Sequence, residues 1–224
     1  MATTTQLPIY AGNDIVAAGF NQPFLSKPDV KERLRHTKLL LQDASIHLEK
    51  WETGDEEETI YWQAASTVVG EILVAATQKG VVFLGFSSDD HRETLADLRG
   101  RFPGNPIEEK RTQELDEAFH RINDPRQELP VHLHLKGTTF QLGIWTKLLL
   151  IPFGGLVTYS EVGNGAQHAR ATGTAVGANP VSILVPCHRV VRADGTYDGY
   201  YWGPENKKKL LAYEASLAKE GNQK

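Results

Sequence analysis

From Ser66 to Phe86 the chain reads STVVGEILVAATQKGVVFLGF, two apolar, β-branched runs parted by Gln78-Lys79-Gly80, and this pattern predicts a hairpin. DDHRETLADLRGRF (89–102) and EEKRTQELDEAFHRIN (108–123) carry apolar residues at helical spacing. LPVHLHLK (129–136) alternates as a half-buried strand does, which puts His132 and His134 on the strand surface rather than in a metal pair. Upstream, PDVKERLRHTKLLLQDASIHLEKW (28–51) predicts one helix behind Pro28, and ETGDEEE (52–58) is an acidic break.

Past Lys136 the pattern turns helical. TTFQLGIWTKLLLIPFG (138–154), the small-residue run HARATGTAVGAN (168–179) and PENKKKLLAYEASLAKEG (204–221) each predict a helix, the last with Pro204 near its start. The expected organisation is an N-terminal extension over 1–58, an α/β domain over 59–135, a mostly helical domain over 136–217 and a tail over 218–224.

Composition narrows the function classes. An apolar fraction of 40% and a charged fraction of 23% are those of an ordinary globular chain, and no apolar run is long enough to span a membrane. The first residues, MATTTQLPIYAGND, lack the basic and apolar regions of a secretory signal. One cysteine permits neither an internal disulfide nor a cysteine-cage zinc site, which fits an intracellular compartment, cytoplasmic or nuclear. The net charge of −4 is unevenly spread: residues 1–135 carry −8 and residues 136–214 carry +3. The basic half suits an anionic partner, although random drift of surface charge would produce the same asymmetry.

That basic half contains the cysteine, Cys187, within VPCHRVV. A thiol reacts as thiolate, and a neighbouring base favours that form. His188 follows it, and Pro186 holds Val185 extended, so the thiol stands at a turn. Asn179 could pin that turn through its amide, and Glu214 could orient His188. A buried, inert cysteine and a solvated Glu214 are the alternatives that these residues alone leave open.

PCHRVV with ANP upstream, GTTFQLGIWTKLLLIPFGGLVTYSEV (137–162), GYYWGPENKKKLLAYE (199–214) and GEILVAATQKGVVFLGF (70–86) together resemble the O6-alkylguanine-DNA alkyltransferases over about residues 60–217. The resemblance implies an α+β chain, with a ribonuclease-H-like α/β domain followed by a helical, winged-helix-like DNA-binding domain. It implies single-use transfer of an alkyl group from O6-alkylguanine in double-stranded DNA to Cys187. By the same likeness His188 would take the thiol proton, Glu214 would hold His188, and Asn179 would bond the backbone of the turn. Tyr159 would donate to guanine N3. Arg170 would enter the duplex in place of the flipped nucleotide, with Ala171 and Gly173 at the DNA face. Tyr200, Val190 and Val191 would line the base pocket. No metal, cofactor or membrane is expected, and the chain should act as a monomer.

Two features depart from the family pattern: the segment from Tyr159 to Arg170 is shorter, and Thr172 stands where a nonpolar residue is usual. The competing readings are a lesion-binding protein without transfer, a cysteine hydrolase using Cys187, His188 and Glu214, and a DNA-binding regulator with an incidental thiol.

Overall fold

In the computed structural model, the described residues are 23–40, 45–125, 127 and 129–221. The N-terminal stretch that does not read as a secretory signal lies outside them, as does the end of the tail.

A six-stranded sheet forms the first layer, in the order β1 (Ile46–Lys50), β6 (Val131–Leu135), β4 (Gly80–Phe86), β3 (Gly70–Thr77), β2 (Ile60–Thr67) and β5 (Ile107–Glu109). The hairpin of β3 (Gly70–Thr77) and β4 (Gly80–Phe86) lies at its centre, and β2 (Ile60–Thr67) is antiparallel to β3. Gly80 is required at the turn. Its φ is +139°, and an added Cβ would lie 2.6 Å from the backbone of His132. Both hairpin strands are almost wholly buried because helices cover the two faces. On one face α3 (Gln113–Asn123) buries Leu115, Ala118, Phe119 and Ile122 against β3 and its neighbours. On the other, α2 (Arg92–Arg101) buries Leu98 against Phe83, Leu73 and Ile60.

The helix expected over 28–51 is corrected by the structure. α1 (Lys27–His36) stops at Thr37, whose backbone is extended and whose N–H and hydroxyl both donate to the Arg33 carbonyl. After it, Ile46–Lys50 is strand β1, parallel to β6 (Val131–Leu135). The open edge of β6 provides a ladder for IHLEK, whose Ile46 and Leu48 turn towards the core. The helix expected over 108–123 likewise starts only at Gln113, since Ile107–Glu109 is strand β5 against β2.

His132 is exposed, as expected, and stacks on His47. His134 is not a surface residue. It is fully buried, with Nε2 3.0 Å from Asp55 Oδ2, Nδ1 2.8 Å from Thr77 Oγ1, and the Trp51 ring stacked on it. The acidic 52–58 stretch folds over that end of the sheet and places Asp55 there, which removes the outward face that strand alternation had assigned to His134. Burial raises the Asp55 carboxyl. Hydrogen bonds from the Glu52 backbone, Lys79 and His134 outweigh that and hold it well below the usual carboxylate range.

The second layer is helical. α4 (Thr139–Leu148) opens with a capping box between Thr138 and Gln141. Its Trp145 is buried and donates Nε1–H to the Ala175 carbonyl of α6 (Ala169–Gly177), locking the two helices together. Between them lie β7 (Val157–Thr158) and the one-turn α5 (Tyr159–Val162). β8 (Val190–Val191) runs parallel to β7, and α7 (Pro204–Gly221) closes the fold.

Candidate active site

The cysteine is carried on a segment that belongs to both layers. β6 meets β4 only at Val81, so the far half of β4 has a free edge. Pro180 to Ser182 occupies it: Leu84 N–H donates to the Pro180 carbonyl (2.9 Å) and Ser182 N–H donates to the Leu84 carbonyl (3.1 Å). The chain then turns sharply through Ile183, whose φ of +71° is a strained conformation for a β-branched residue. Asn179 holds the turn from within. Its Oδ1 accepts from Val181 N–H (3.0 Å), and its Nδ2 donates to the Val185 carbonyl (2.9 Å). Cys187 opens a 3-10 turn, Cys187–Arg189, that leads directly into β8.

Cys187 is 5% exposed and lines a cavity of about 240 Å³ with Tyr159, Gly173, Val176, Tyr200 and Tyr201. A neighbouring cavity of about 350 Å³ shares Tyr159, Gly173 and Gly199 and adds Arg170, Val191, Arg192 and Lys207. A larger one, about 430 Å³, lies behind Glu214 and Arg189 and does not reach the sulfur. Reaction at Cys187 therefore belongs to the smaller space.

His188, next to the thiol in sequence, belongs to a buried charged cluster. Glu214 Oε1 lies 2.8 Å from His188 Nε2, and Arg189 donates Nε–H to Oε2 (3.0 Å) and Nη2–H to Oε1 (3.0 Å). The Gly154 N–H also donates to Oε2, at 3.1 Å. Burial alone would raise the Glu214 carboxyl, but Arg189 and His188 outweigh it and hold it down at about 2. An ionised carboxylate only accepts, so Nε2 of a neutral His188 carries the proton and Nδ1 is left as an acceptor. That Nδ1 is buried and, among the described residues, has no hydrogen-bond partner. Burial lowers the His188 pKa against the opposing pull of Glu214. Burial also pushes the Cys187 thiol up, opposed by the Asn179 amide, Lys207, Ser182 and Tyr200. Both shifts favour the neutral forms, thiol and imidazole.

Tyr159 opens α5 and faces the sulfur cavity. Burial and the thiol raise its phenol, and Arg192 opposes them. Arg170 and Ala171 are exposed on the first turn of α6. Gly173 lies further along that helix, and a Cβ there would meet the Tyr159 ring at an ordinary 3.8 Å. Tyr200 lines the sulfur cavity with its hydroxyl buried, and burial with the facing thiol raises it well above the usual tyrosine range. Val191 lines the neighbouring cavity, whereas Val190 is buried with its carbonyl accepting from Lys207. The short stretch between Tyr159 and Arg170 makes its turn with Asn164 and Gly165, both at positive φ, and a 3-10 turn over Ala166–His168.

The model of the 6-O-methylguanine DNA methyltransferase ribonuclease-like domain matches residues 60–133, and that of the same family's DNA binding domain matches residues 139–216. The inducible methylated-DNA–protein-cysteine methyltransferase of Bacillus subtilis is 35% identical over 168 residues, covering 72% of this chain and 94% of that protein. The chain belongs to the methylated-DNA–protein-cysteine methyltransferase family. The Escherichia coli bifunctional transcriptional activator/DNA repair enzyme Ada is 34% identical over 170 residues, and the match spans 47% of that longer protein. Among solved structures, the Mycobacterium tuberculosis O6-methylguanine methyltransferase aligns with a TM-score of 0.57 at 29% identity, covering 70% of this chain and 93% of that one. The M. tuberculosis OGT in complex with DNA aligns with a TM-score of 0.56.

Against this family background, two residues that sequence reasoning passed over stand in the site. Arg189 supplies the fork on Glu214, and its Nη1 donates to the Ile151 carbonyl at 2.6 Å. Lys207, 1% exposed, donates to the carbonyls of Val190 (2.6 Å) and Gly199 (3.2 Å), and burial pulls its pKa down to about 8. Arg189 sits inside the PCHR motif and was open to notice. Lys207 is one of three consecutive lysines, and nothing in KKK says which one turns inward.

Proposed function

We propose that this chain repairs DNA by direct, irreversible transfer of the alkyl group from O6-alkylguanine to Cys187, each molecule acting once. The observation that carries this reading is the placement of the one thiol in the wall of a cavity, next in sequence to a histidine whose acceptor nitrogen is buried and whose other nitrogen is fixed by Glu214.

In this reading the damaged nucleotide leaves the stack to reach the sulfur, and the exposed Arg170 fills the space it leaves. His188 Nδ1 takes the thiol proton, directly or through a water, and Glu214 stabilises the imidazolium that results. The S–C bond forms as the C–O6 bond breaks. The departing guanine takes a proton from Tyr159 at N3, and the proton held on His188 restores the tyrosine. Net, the thiol hydrogen ends on guanine and the alkyl group on sulfur. The C–S bond of the thioether is stable to thiols and to water, so the acceptor is not regenerated and each molecule acts once. The partner is double-stranded DNA inside the cell, bound by a monomer, and neither a metal nor a cofactor takes part.

Incubation with an oligonucleotide duplex containing O6-methylguanine, followed by intact mass, tests this. The expected product carries one methyl in place of one hydrogen, and Cys187→Ser abolishes the change. A wild-type protein that binds the duplex but stays unmodified would reduce the function to lesion recognition.

A further inference from the structure

α1 lies before both segments that match the family. With its flanking residues Leu25 and Thr37 it nevertheless grips two loops of the thiol-bearing layer. The first is Pro152–Leu156. Arg33 Nη1 donates to the Gly154 carbonyl at 2.6 Å, and Nη2 donates to the Ala215 carbonyl of α7 at 3.3 Å. Thr37 Oγ1 accepts from Leu156 N–H at 2.8 Å. The fit is close on both glycines. Gly154 has a φ of +72°, and a Cβ on it would lie 3.1 Å from the Ala218 Cβ and 3.4 Å from Arg33 Nη1. A Cβ on Gly155 would lie 3.0 Å from Thr37 Cγ2. The second loop is Arg192–Tyr197, where the Tyr197 hydroxyl donates to the Leu25 carbonyl at 2.6 Å. Between them Val30 is fully buried with Leu156, Val191 and Leu211.

Gly154 is also a partner of Glu214, through the 3.1 Å bond from its N–H. One residue's backbone thus ties α1 to the carboxylate that orients His188. We infer that α1 is a working part of the alkyl-transfer site, and that Arg33 is a positioning residue acting through Gly154 on Glu214. This rests on the transfer reading above.

The test is single-turnover methyl transfer from duplex O6-methylguanine, with thermal melting run alongside on the full chain. Arg33→Ala should slow transfer about tenfold, the effect of losing a hydrogen bond to a charged group. Arg35→Ala removes the same charge from an exposed position of the same helix and should stay within about twofold of wild type. Arg33→Lys should recover part of the rate. In a Glu214→Gln background the Arg33→Ala loss should shrink to about twofold, because the two changes break one linkage. If Arg33→Ala matches Arg35→Ala, the inference fails and Arg33 serves stability alone; if its loss is undiminished in Glu214→Gln, the inference fails because Arg33 acts independently of Glu214. Absence of transfer by wild type would instead remove the reading on which it stands.

Discussion

His188 and Glu214 meet through one 2.8 Å contact in a place that excludes solvent, and the carboxylate is shared with the Arg189 fork. Glu214→Gln keeps the shape and removes the charge. An amide can present its NH₂ to Nε2 and reverse the histidine tautomer, so Nδ1 would no longer accept. Transfer should fall by at least about a hundredfold, read by single-turnover kinetics. Arg189 would be left partly buried without its counter-charge, so the melting temperature should drop as well.

The same carboxylate makes stability depend on pH. Its folded pKa, about 2, lies below the ordinary 4.5. The stabilisation is therefore present above about 4.5 and is lost as pH falls from there towards 2. Its size is on the order of 3 kcal/mol from linkage. Asp55, also depressed, acts in the same direction. Urea unfolding at pH 6 and pH 3.5 should show the fall, and Glu214→Gln should flatten the slope. An unchanged slope in that variant would assign the acid sensitivity to Asp55.

Thr172 carries a hydroxyl that is fully buried, without a hydrogen-bond partner among the described residues, and packed against Gly163. Removing an unsatisfied buried polar atom while keeping the shape is neutral to stabilising. Thr172→Val should raise stability by up to about 1 kcal/mol, read in denaturant unfolding. A loss of that size would show that the hydroxyl has a partner.

Arg170 is exposed on α6 at the mouth of the cavity next to the thiol. If it fills the vacated stack, Arg170→Ala should slow transfer from duplex O6-methylguanine about tenfold more than from a single-stranded oligonucleotide, which has little stack to restore. Equal losses on the two substrates would make Arg170 a phosphate contact only.

What was legible in the sequence was what local chemistry dictates. The β3–β4 hairpin and α4, α6 and α7 followed from apolar spacing and end signals. Cys187, His188, Asn179 and Glu214 came from a motif; Glu214 contacts His188, and Asn179 braces the turn before Cys187 and lines the same cavity. β1 and β5 were hidden because short edge strands owe their form to the neighbour they pair with, and an isolated IHLEK reads equally well as helix. His134 misled because alternation shows two faces of a strand but not what later covers them, and here Asp55 does. Lys207 was hidden because its burial is decided by carbonyls at Val190 and Gly199, which no nearby residue announces.

Arg33 and Ala215, joined by a 3.3 Å bond, are 182 residues apart in the chain. At 5–20 residues per second, the ribosome delivers the second on the order of 10–40 s after the first. α1 has no α7 to rest on until translation reaches that last helix. A nascent chain stalled before then carries Cys187 but neither Glu214 nor the support beneath Gly154. The thiol is therefore made before the apparatus that would activate it, and a truncated product should hold an idle cysteine rather than a partly competent one.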